Sequence, residues 1–262
     1  MSQTEADYVT RPDLPTSATA QLDLEVIVPA FNEERRIAPT LYALVEELQS
    51  LPLRSRVRVI DNGSSDLTAD MVERVKVSLG AGLIALSGCS GRGKGRAVTK
   101  GMMSSSATYV GFCDADLATP AAAISDALRL LEEGWAVVVG SRHCAGASYA
   151  TEQPFLRRLG SAAFRNAARN ISGGIQDTQC GFKFFTRDAA QRVFAHTRIS
   201  GFAFDVEVLA RAHALDLAVK EMPVCWSDRP GSTFSFRRDG LTSFADVWAL
   251  RRAMSEAGAR RA

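Results

Sequence analysis

An alternation runs through the first half of this chain and limits what it can fold into. Short apolar runs are each followed by a polar turn and then by a longer stretch with apolar residues at helical spacing. Leu24 to Ala30 reads as a buried strand, and Glu33 to Leu51 carries Leu41, Leu44, Val45 and Leu48 on one face with charges opposite. Arg56 to Ile60, Gly82 to Leu86, Thr108 to Cys113 and Trp135 to Gly140 repeat the strand pattern. Between them, Asp66 is placed to N-cap a helix through Ser78, a Gly-rich loop from Ser90 to Gly95 opens another, and Pro120 starts a third that runs to Glu133. Strands alternating with helices predict βα units and an α/β fold built on one mostly parallel sheet flanked by helices.

The second half has a different texture. Pro154 to Ile171 is amphipathic, with Leu156, Leu159, Phe164 and Ile171 on one face and Arg157, Arg158, Arg165 and Arg169 elsewhere. Such a stripe faces either a core or an anionic membrane surface. Gln176 to Thr186 reads as a polar turn leading into a short strand, Asp188 to His196 and Asp205 to Leu215 as helices, Val219 to Val224 as a strand, and Asp239 to Ala257 as a terminal helix. There is no internal repeat and no linker. Residues 1–23 are expected to be a flexible arm and 24–262 one domain, with a ligand-binding half over 24–141 and a second half over 142–262.

Charge separates these halves. Residues 1–141 hold 13 Lys/Arg against 18 Asp/Glu, a net −5, and residues 142–262 hold 18 against 11, a net +7. The basic half is expected to meet something anionic: a phosphate, a phospholipid surface or nucleic acid. Basic patches interleaved with aromatics, the footprint of a nucleic-acid binder, are absent from the sequence, so nucleic acid is not an expected partner. No apolar run approaches the ~20 residues that span a bilayer. The polar N-terminus lacks the apolar core of a secretory signal, and the five cysteines form no CxxC pair. A cytoplasmic protein, at most peripheral at a membrane, is the expectation.

Parallel sheets bind ligands beyond the carboxyl ends of their strands, and the polar motifs fall there. They are Asn32-Glu33 after the first strand, Asp61 after the second, Gly91 to Gly95 after the third, Asp114-Ala115-Asp116 after the fourth and Arg142 after the fifth. Asp114 and Asp116 can share one hard divalent cation; Mg2+ and Mn2+ take one or two carboxylates plus substrate phosphates, which implies a phosphorylated ligand. The alternative for this pair is a solvated acidic turn. Ser90-Gly91-Arg92-Gly93-Lys94-Gly95 brings a flexible backbone, two cations and a helix N-terminus to one place, as a phosphate site requires. It is neither GxxxxGK[ST] nor GxGxxG, which disfavours a P-loop NTPase and a dinucleotide dehydrogenase. Asp61 can accept from a base N–H or a ribose hydroxyl, or close an Asx-turn on its own backbone. Pro29 and Phe31 can wall a base, unless Phe31 is simply core. Of the three histidines, only His143, beside Arg142, has a neighbour that invites chemistry.

Val28-Pro29-Ala30-Phe31-Asn32-Glu33-Glu34, Asp61-Asn62-Gly63-Ser64-Ser65-Asp66, Arg92-Gly93-Lys94-Gly95 and Asp114-Ala115-Asp116, in that order, resemble the motifs of glycosyltransferase family 2, whose fold is GT-A. Gly140-Ser141-Arg142, Asp177-Thr178-Gln179-Cys180-Gly181-Phe182-Lys183 and Pro223-Val224-Cys225-Trp226 resemble its dolichyl-phosphate β-glucosyltransferase and polyprenyl-phosphate sugar transferase branch. The resemblance covers roughly residues 24 to 235. It implies that Pro29, Phe31, Asn32, Glu33 and Asp61 line a nucleoside pocket, that Arg92 and Lys94 lie by the phosphates, and that Asp114 and Asp116 handle ribose, diphosphate and metal. It further implies that Arg142 meets the acceptor phosphate and that Asp177 is a base or a sugar-orienting carboxylate. Asn62 stands where many relatives carry a second Asp, and Ala118 where some carry a polar group near the metal.

The expected activity is metal-dependent, inverting transfer of a hexose, glucose or a close relative, from a nucleotide diphosphate sugar to a phosphate acceptor such as polyprenyl phosphate. The resemblance favours UDP; a guanine nucleotide is the alternative. Two rival readings stand beside it: a soluble glycosyltransferase with a hydroxyl acceptor, which needs a general base, and a nucleotide-binding protein without catalysis.

Overall fold

A strand that is apolar at nearly every position, as Leu24 to Ala30 is, needs a packed layer on both of its faces. That requirement organises the molecule. The structure, a computed structural model, describes residues 21–149, 164, 168–169, 171–227 and 239–259. In chain order the elements are β1 (Leu24–Ala30), α1 (Ile37–Ser50), β2 (Ser55–Asp61), α2 (Thr68–Leu79), β3 (Ile84–Gly88), α3 (Lys94–Ser104), β4 (Tyr109–Cys113), α4 (Ala123–Glu132), β5 (Val137–Ser141) and β6 (Ser148–Tyr149). They continue with β7 (Phe182–Thr186), α5 (Arg187–Phe194), α6 (Phe204–Ala214), β8 (Val219–Pro223), β9 (Cys225–Trp226) and α7 (Asp239–Ala259).

The main sheet has seven strands in the order β3-β2-β1-β4-β7-β5-β8. All neighbours are parallel except β7, which runs antiparallel to β4 on one side and β5 on the other. The mostly parallel α/β sheet expected from the alternation is therefore present, with one reversed strand from the second half inserted near its centre. β6 and β9 form a separate two-stranded ribbon. Val26, Val28, Val57 and Val59 point to one face and pack under α1, α2 and α4. Ile27, Ile60, Phe112 and Phe185 point to the other and pack under α3, α5 and α6. Glu25, fully buried on β1, is paired with Arg56 and Arg58 across on β2 at 2.6 and 3.0 Å.

The predicted elements lie within a few residues of the observed ones. The main difference is at the start of α1. Residues 33–36 form a turn because the Glu33 N–H donates to Thr68 Oγ1 (2.8 Å) and the Glu34 N–H to Asp66 Oδ2 (3.1 Å). Asp66 also accepts from the Thr68 N–H, within the first turn of α2 (3.0 Å).

The expected N-terminal arm and most of the Pro154–Ile171 stripe lie outside the described residues. Phe164 and Ala168, which are described, are buried against α6 and α7 with Val206, Ala210, Val247 and Leu250, so that part of the stripe faces protein. Among the described residues no helix is long and apolar enough to cross a membrane.

Gly111 on β4 lies directly opposite Phe184 on β7, and the Phe184 ring occupies the space a side chain would need. Overpacking a rigid ring in a filled core costs about 1–3 kcal/mol. Gly111→Ala is expected to lose that much stability in chemical denaturation. Gly82→Ala, with nothing near the new methyl group, should stay within about 0.5 kcal/mol of the parent.

Candidate active site

The carboxyl ends of β1 to β4 meet at one rim, and short hydrogen bonds lock the loops there. Asn32 adopts a left-handed backbone (φ 56°), a conformation that asparagine tolerates better than most residues. Its N–H donates to Ser64 Oγ (3.0 Å), and its Oδ1 accepts from the Ser65 N–H (2.9 Å). Ser64 in turn donates from Oγ to Asp61 Oδ1 (2.5 Å), which also accepts the Ser64 N–H (3.3 Å). Asp61 thus closes the turn on itself, as one of its two sequence readings foresaw, and the turn is clipped to the β1 loop. Pro29 is half-buried at the end of β1. Phe31 is half-buried, with the Arg92 guanidinium 5.9 Å from its ring centre, so the β1 and β3 loops meet across the mouth.

The charged centre lies where β4 ends. Lys94, the first residue of α3, places Nζ 2.5 Å from Asp114 Oδ1 and 3.9 Å from Asp205 Oδ2 on α6. Burial works against its charge, yet Asp114 and Asp205 outweigh that and hold the ammonium well above its ordinary pKa. Asp205 is itself buried and ion-paired with Lys183, a fully buried lysine on β7 that also donates to the Cys180 carbonyl (2.7 Å). From rim to interior the charges run Asp114, Lys94, Asp205, Lys183, alternating in sign.

Asp116 is in a different state. It accepts the Ala118 N–H (3.1 Å) and faces no cation within ion-pair distance among the described residues. Burial, with the neighbouring Asp114 carboxylate, pushes its pKa up. Glu33 is also pushed up by burial, although Arg36 grips it with two hydrogen bonds (2.6 and 2.8 Å). Its field is coupled to Asp116 and Asp114, so the three carboxylates share one neighbourhood. The described residues hold no ready-made cluster of three metal ligands. Two carboxylates, one of them short of cationic partners, still fit a Mg2+ or Mn2+ ion that takes its remaining ligands from a diphosphate. The chain after Asp116 turns through Leu117 with φ 49°, a strained conformation for a leucine.

The Ser90 to Gly95 loop opens α3, and the first N–H groups that follow it are bonded locally. The N–H groups of Gly95, Arg96 and Ala97 are already taken, by Ser200 O (2.9 Å) and by Gly93 O (3.1 and 3.3 Å). Within the loop itself, the Arg92 side chain reaches Phe31 and the Lys94 side chain reaches Asp114. Gly93 (φ 124°) has no room for a side chain because the Ser200 carbonyl lies against it.

On the far side of β4, Arg142 and Asp177 are brought together. Arg142 donates from Nε to Oδ2 (2.7 Å), from one Nη to Oδ1 (2.9 Å) and from its backbone N–H to Oδ2 (2.9 Å). Asp177 is 1% exposed. Its burial would raise its pKa, but Arg142 overrides this and holds it at about 2. A carboxylate so stabilised is a poor proton acceptor at neutral pH, which argues against the general-base reading of Asp177. Glu221 on β8 fixes the same loop, accepting the N–H groups of Gln176 and Asp177 at 3.0 Å each. The Arg142 guanidinium lies 5.4 Å from the Trp226 ring centre. His143 adds a smaller electrostatic contribution that also lowers Asp177.

The Arg142–Asp177 pair does not touch the Lys94–Asp114 pair. Gly181 connects them: it follows the Asp177 loop, and the Asp114 carboxylate lies where its side chain would be. The Asp114 N–H also donates to the Gly181 carbonyl (3.1 Å). Lys183, Asp205, Glu207 and Glu221 were missed by sequence reasoning. The available signal was acids two apart, Asp205 and Glu207, inside the otherwise apolar stretch Phe204 to Ala210. Glu207 holds the N–H groups of Arg198 and Ile199 (2.9 and 2.7 Å), and so braces the segment on which the Lys94 loop rests.

The model of a family described as glycosyl transferase family 2 matches residues 25–194. The dolichyl-phosphate beta-glucosyltransferase of Dictyostelium discoideum is 34% identical over 240 residues, spanning 87% of this chain and 73% of the relative. The human protein of the same name is 31% identical over 236 residues, spanning 85% and 72%. Among solved structures, glucosyl-3-phosphoglycerate synthase from Mycobacterium tuberculosis, in complex with Mn2+, UDP and phosphoglyceric acid, matches with a TM-score of 0.66. That match covers 94% of this chain and 84% of the other at 17% identity, and is a likeness of fold alone. The fold is of the GT-A type.

The two rim carboxylates should respond to neutralisation with opposite signs. The pKa of Asp177 is lowered on folding, so its contribution to stability is full above the unfolded value and is lost as pH falls towards 2. Asp177→Asn should cost about 3–5 kcal/mol at pH 7, because it leaves a half-buried guanidinium without its partner. That deficit should shrink as pH falls from about 4 towards 2. The pKa of Asp116 is raised, so its charge opposes folding at neutral pH. Asp116→Asn should stabilise the metal-free protein at pH 7, with the gain vanishing once the parent carboxyl is protonated. Denaturation midpoints of both variants across this pH range test the pair.

Proposed function

The chain belongs to glycosyl transferase family 2, and on that premise we propose that it transfers glucose from UDP-glucose to a polyprenyl phosphate. The observation that carries the reading is the meeting of Lys94, Asp114 and Asp116 at the end of β4, where a diphosphate and its divalent cation would neutralise one another's surroundings. The names of the relatives support glucose and a lipid-linked phosphate acceptor.

The parts then act as follows. The Asn32 and Asp61 loops, with Pro29 and Phe31, form the nucleoside side of the site. Lys94 and Arg92 hold the diphosphate and stabilise the charge that develops on it as the bond to C1 of the sugar breaks. Asp116, with Asp114, would hold Mg2+ or Mn2+, which when bound adds Lewis-acid stabilisation to the same leaving group. The acceptor oxygen approaches from the opposite face and inverts the anomeric centre. A phosphate monoester is already an anion at neutral pH and needs no base. The state of Asp177, buried and held at about 2 by Arg142, supports a phosphate acceptor over a hydroxyl one. Arg142 orients that phosphate by its charge.

The purified chain is expected to form a polyprenyl-phosphate glucose from UDP-glucose, and to form it poorly from GDP sugars. Excess chelator should abolish turnover, and Mg2+ or Mn2+ should restore it. Asp116→Asn should cost at least two orders of magnitude in kcat with its fold intact. Full turnover in chelator would remove the metal from the reading, and transfer to a soluble alcohol alone would replace the acceptor.

We also propose that the chain works in the cytoplasm and touches the membrane that carries its acceptor reversibly, through the net charge of +7 on residues 142–262. Basic residues near an anionic surface contribute about 1 kcal/mol each, and screening at 1 M salt reaches in to about 3 Å. Co-sedimentation with anionic vesicles at low salt, lost at 1 M, is the expected result; a protein that stays in the supernatant at low salt refutes it.

A further inference from the structure

The charges around Lys94 give its ammonium two seats. On the outer side, Nζ lies 2.5 Å from Asp114 Oδ1. On the inner side, Asp205 Oδ2 lies 3.9 Å away and the centre of the Phe204 ring 5.6 Å away. A carboxylate oxygen and an aromatic face both attract an ammonium. A shift of about 1 Å brings Nζ within hydrogen-bond distance of Asp205.

Asp205 is placed to receive it. Its two oxygens are divided between two lysines: Oδ1 pairs with the fully buried Lys183, and Oδ2 faces Lys94. Lys183 is tied a second time, to the Cys180 carbonyl (2.7 Å). The backbone at Lys94 is fixed as well. Gly93 and Gly95 lie so close to the Ser200 and Ile199 carbonyls that neither has room for a side chain, and the Gly95 N–H donates to Ser200 O (2.9 Å). Glu207 anchors that segment in turn, through the N–H groups of Arg198 and Ile199. What is left to move is the Lys94 side chain. Its outer seat is contested, because Asp114 gives Oδ1 to Lys94 and packs Oδ2 against Gly181. A divalent cation held by Asp114 and Asp116 meets the ammonium on the same carboxylate, and like charges that close repel strongly in a half-buried site.

We propose that Asp205 is a positioning residue for Lys94: Lys94 gives up Asp114 to the divalent cation and passes to Asp205, so that lysine and cation serve the donor diphosphate from neighbouring seats. The inference rests on the donor reading given above, which puts the diphosphate and its cation at Lys94, Asp114 and Asp116. Without Asp205, the displaced ammonium turns out to water, and a long flexible side chain must be ordered again for each donor.

The test follows Mn2+ binding to the full chain by calorimetry, without nucleotide and with UDP. Lys94→Met removes the competitor and is expected to tighten Mn2+ binding without nucleotide about tenfold. Asp205→Asn removes the inner seat and should weaken it about tenfold, because Lys94 then keeps to Asp114. In a Lys94→Met background, Asp205→Asn should have little effect, since no ammonium is left to seat. Equal effects of Asp205→Asn in the two backgrounds mean that it acts through overall charge or the fold, and overturn the proposal. Unchanged or weaker Mn2+ binding in Lys94→Met overturns it too. Asp205→Asn deprives Lys183 of its counter-ion; if it does not fold, the comparison is made with Lys183→Met added in both backgrounds. If that also fails, Lys94→Met, which keeps the Asp205–Lys183 pair whole, decides alone. The donor reading survives all of these outcomes as long as the parent binds Mn2+ and UDP together. A parent chain that binds neither overturns the donor reading, and the exchange with it.

Discussion

Four charges in a row, Asp114, Lys94, Asp205 and Lys183, hold the centre of this molecule together. Each comes from a different place in the chain: the end of β4, the start of α3, the start of α6 and the middle of β7. Burying any one alone would be costly, and removing one partner of a buried pair typically costs about 3–5 kcal/mol. Alternation of sign resolves this, because each charge has an opposite neighbour and the row reaches water only at its outer end, at Lys94 and Asp114. The arrangement demands that four elements be in register at once. It also explains why the segment from Ile199 to Phe204 packs so closely on Gly93 and Gly95: Lys94 meets Asp205 only if the α3 loop rests directly on it.

The same row shows what could and could not be read from the sequence. Its outer members, Lys94 and Asp114, were legible because they sit in turns at the ends of strands, where polar residues in an α/β chain have a place to act. Lys183 and Asp205 were not. A single charge inside Phe182 to Thr186, or at the head of an apolar helix, reads as a solvent-facing residue unless its partner is known, and the partner lies 22 positions away. The reversed direction of β7 was hidden for a related reason: apolar alternation marks a strand without giving its direction or its neighbours. β6 and β9 are two residues each and carry no period at all. The strands, the helices and the order of the rim motifs needed only local patterns, and they were read within a few residues.

Asp177 illustrates a different limit. Its motif was legible in the sequence, but its protonation state was not. Burial alone would have made it a candidate base, and a guanidinium in bidentate contact holds its carboxyl well below the usual range, at about 2. The two outcomes differ by one neighbour, Arg142, 35 positions earlier in the chain. Reading function from a carboxylate therefore requires the identity of the cation beside it, which only the folded chain supplies.

The position of β7 has a consequence for how the chain can be divided. β5 belongs to the first 141 residues, yet its partners in the sheet are β7 and β8, both from the second half. A fragment ending at Ser141 would carry a strand of five consecutive buried residues with nothing to pair with, and would leave β4 with the edge that β7 covers open. Such a fragment presents unpaired backbone and apolar side chains to other copies of itself, the situation that leads to edge-to-edge aggregation. The two halves of the chain are separate in sequence and opposite in net charge, but they share one sheet, and neither is a portable module.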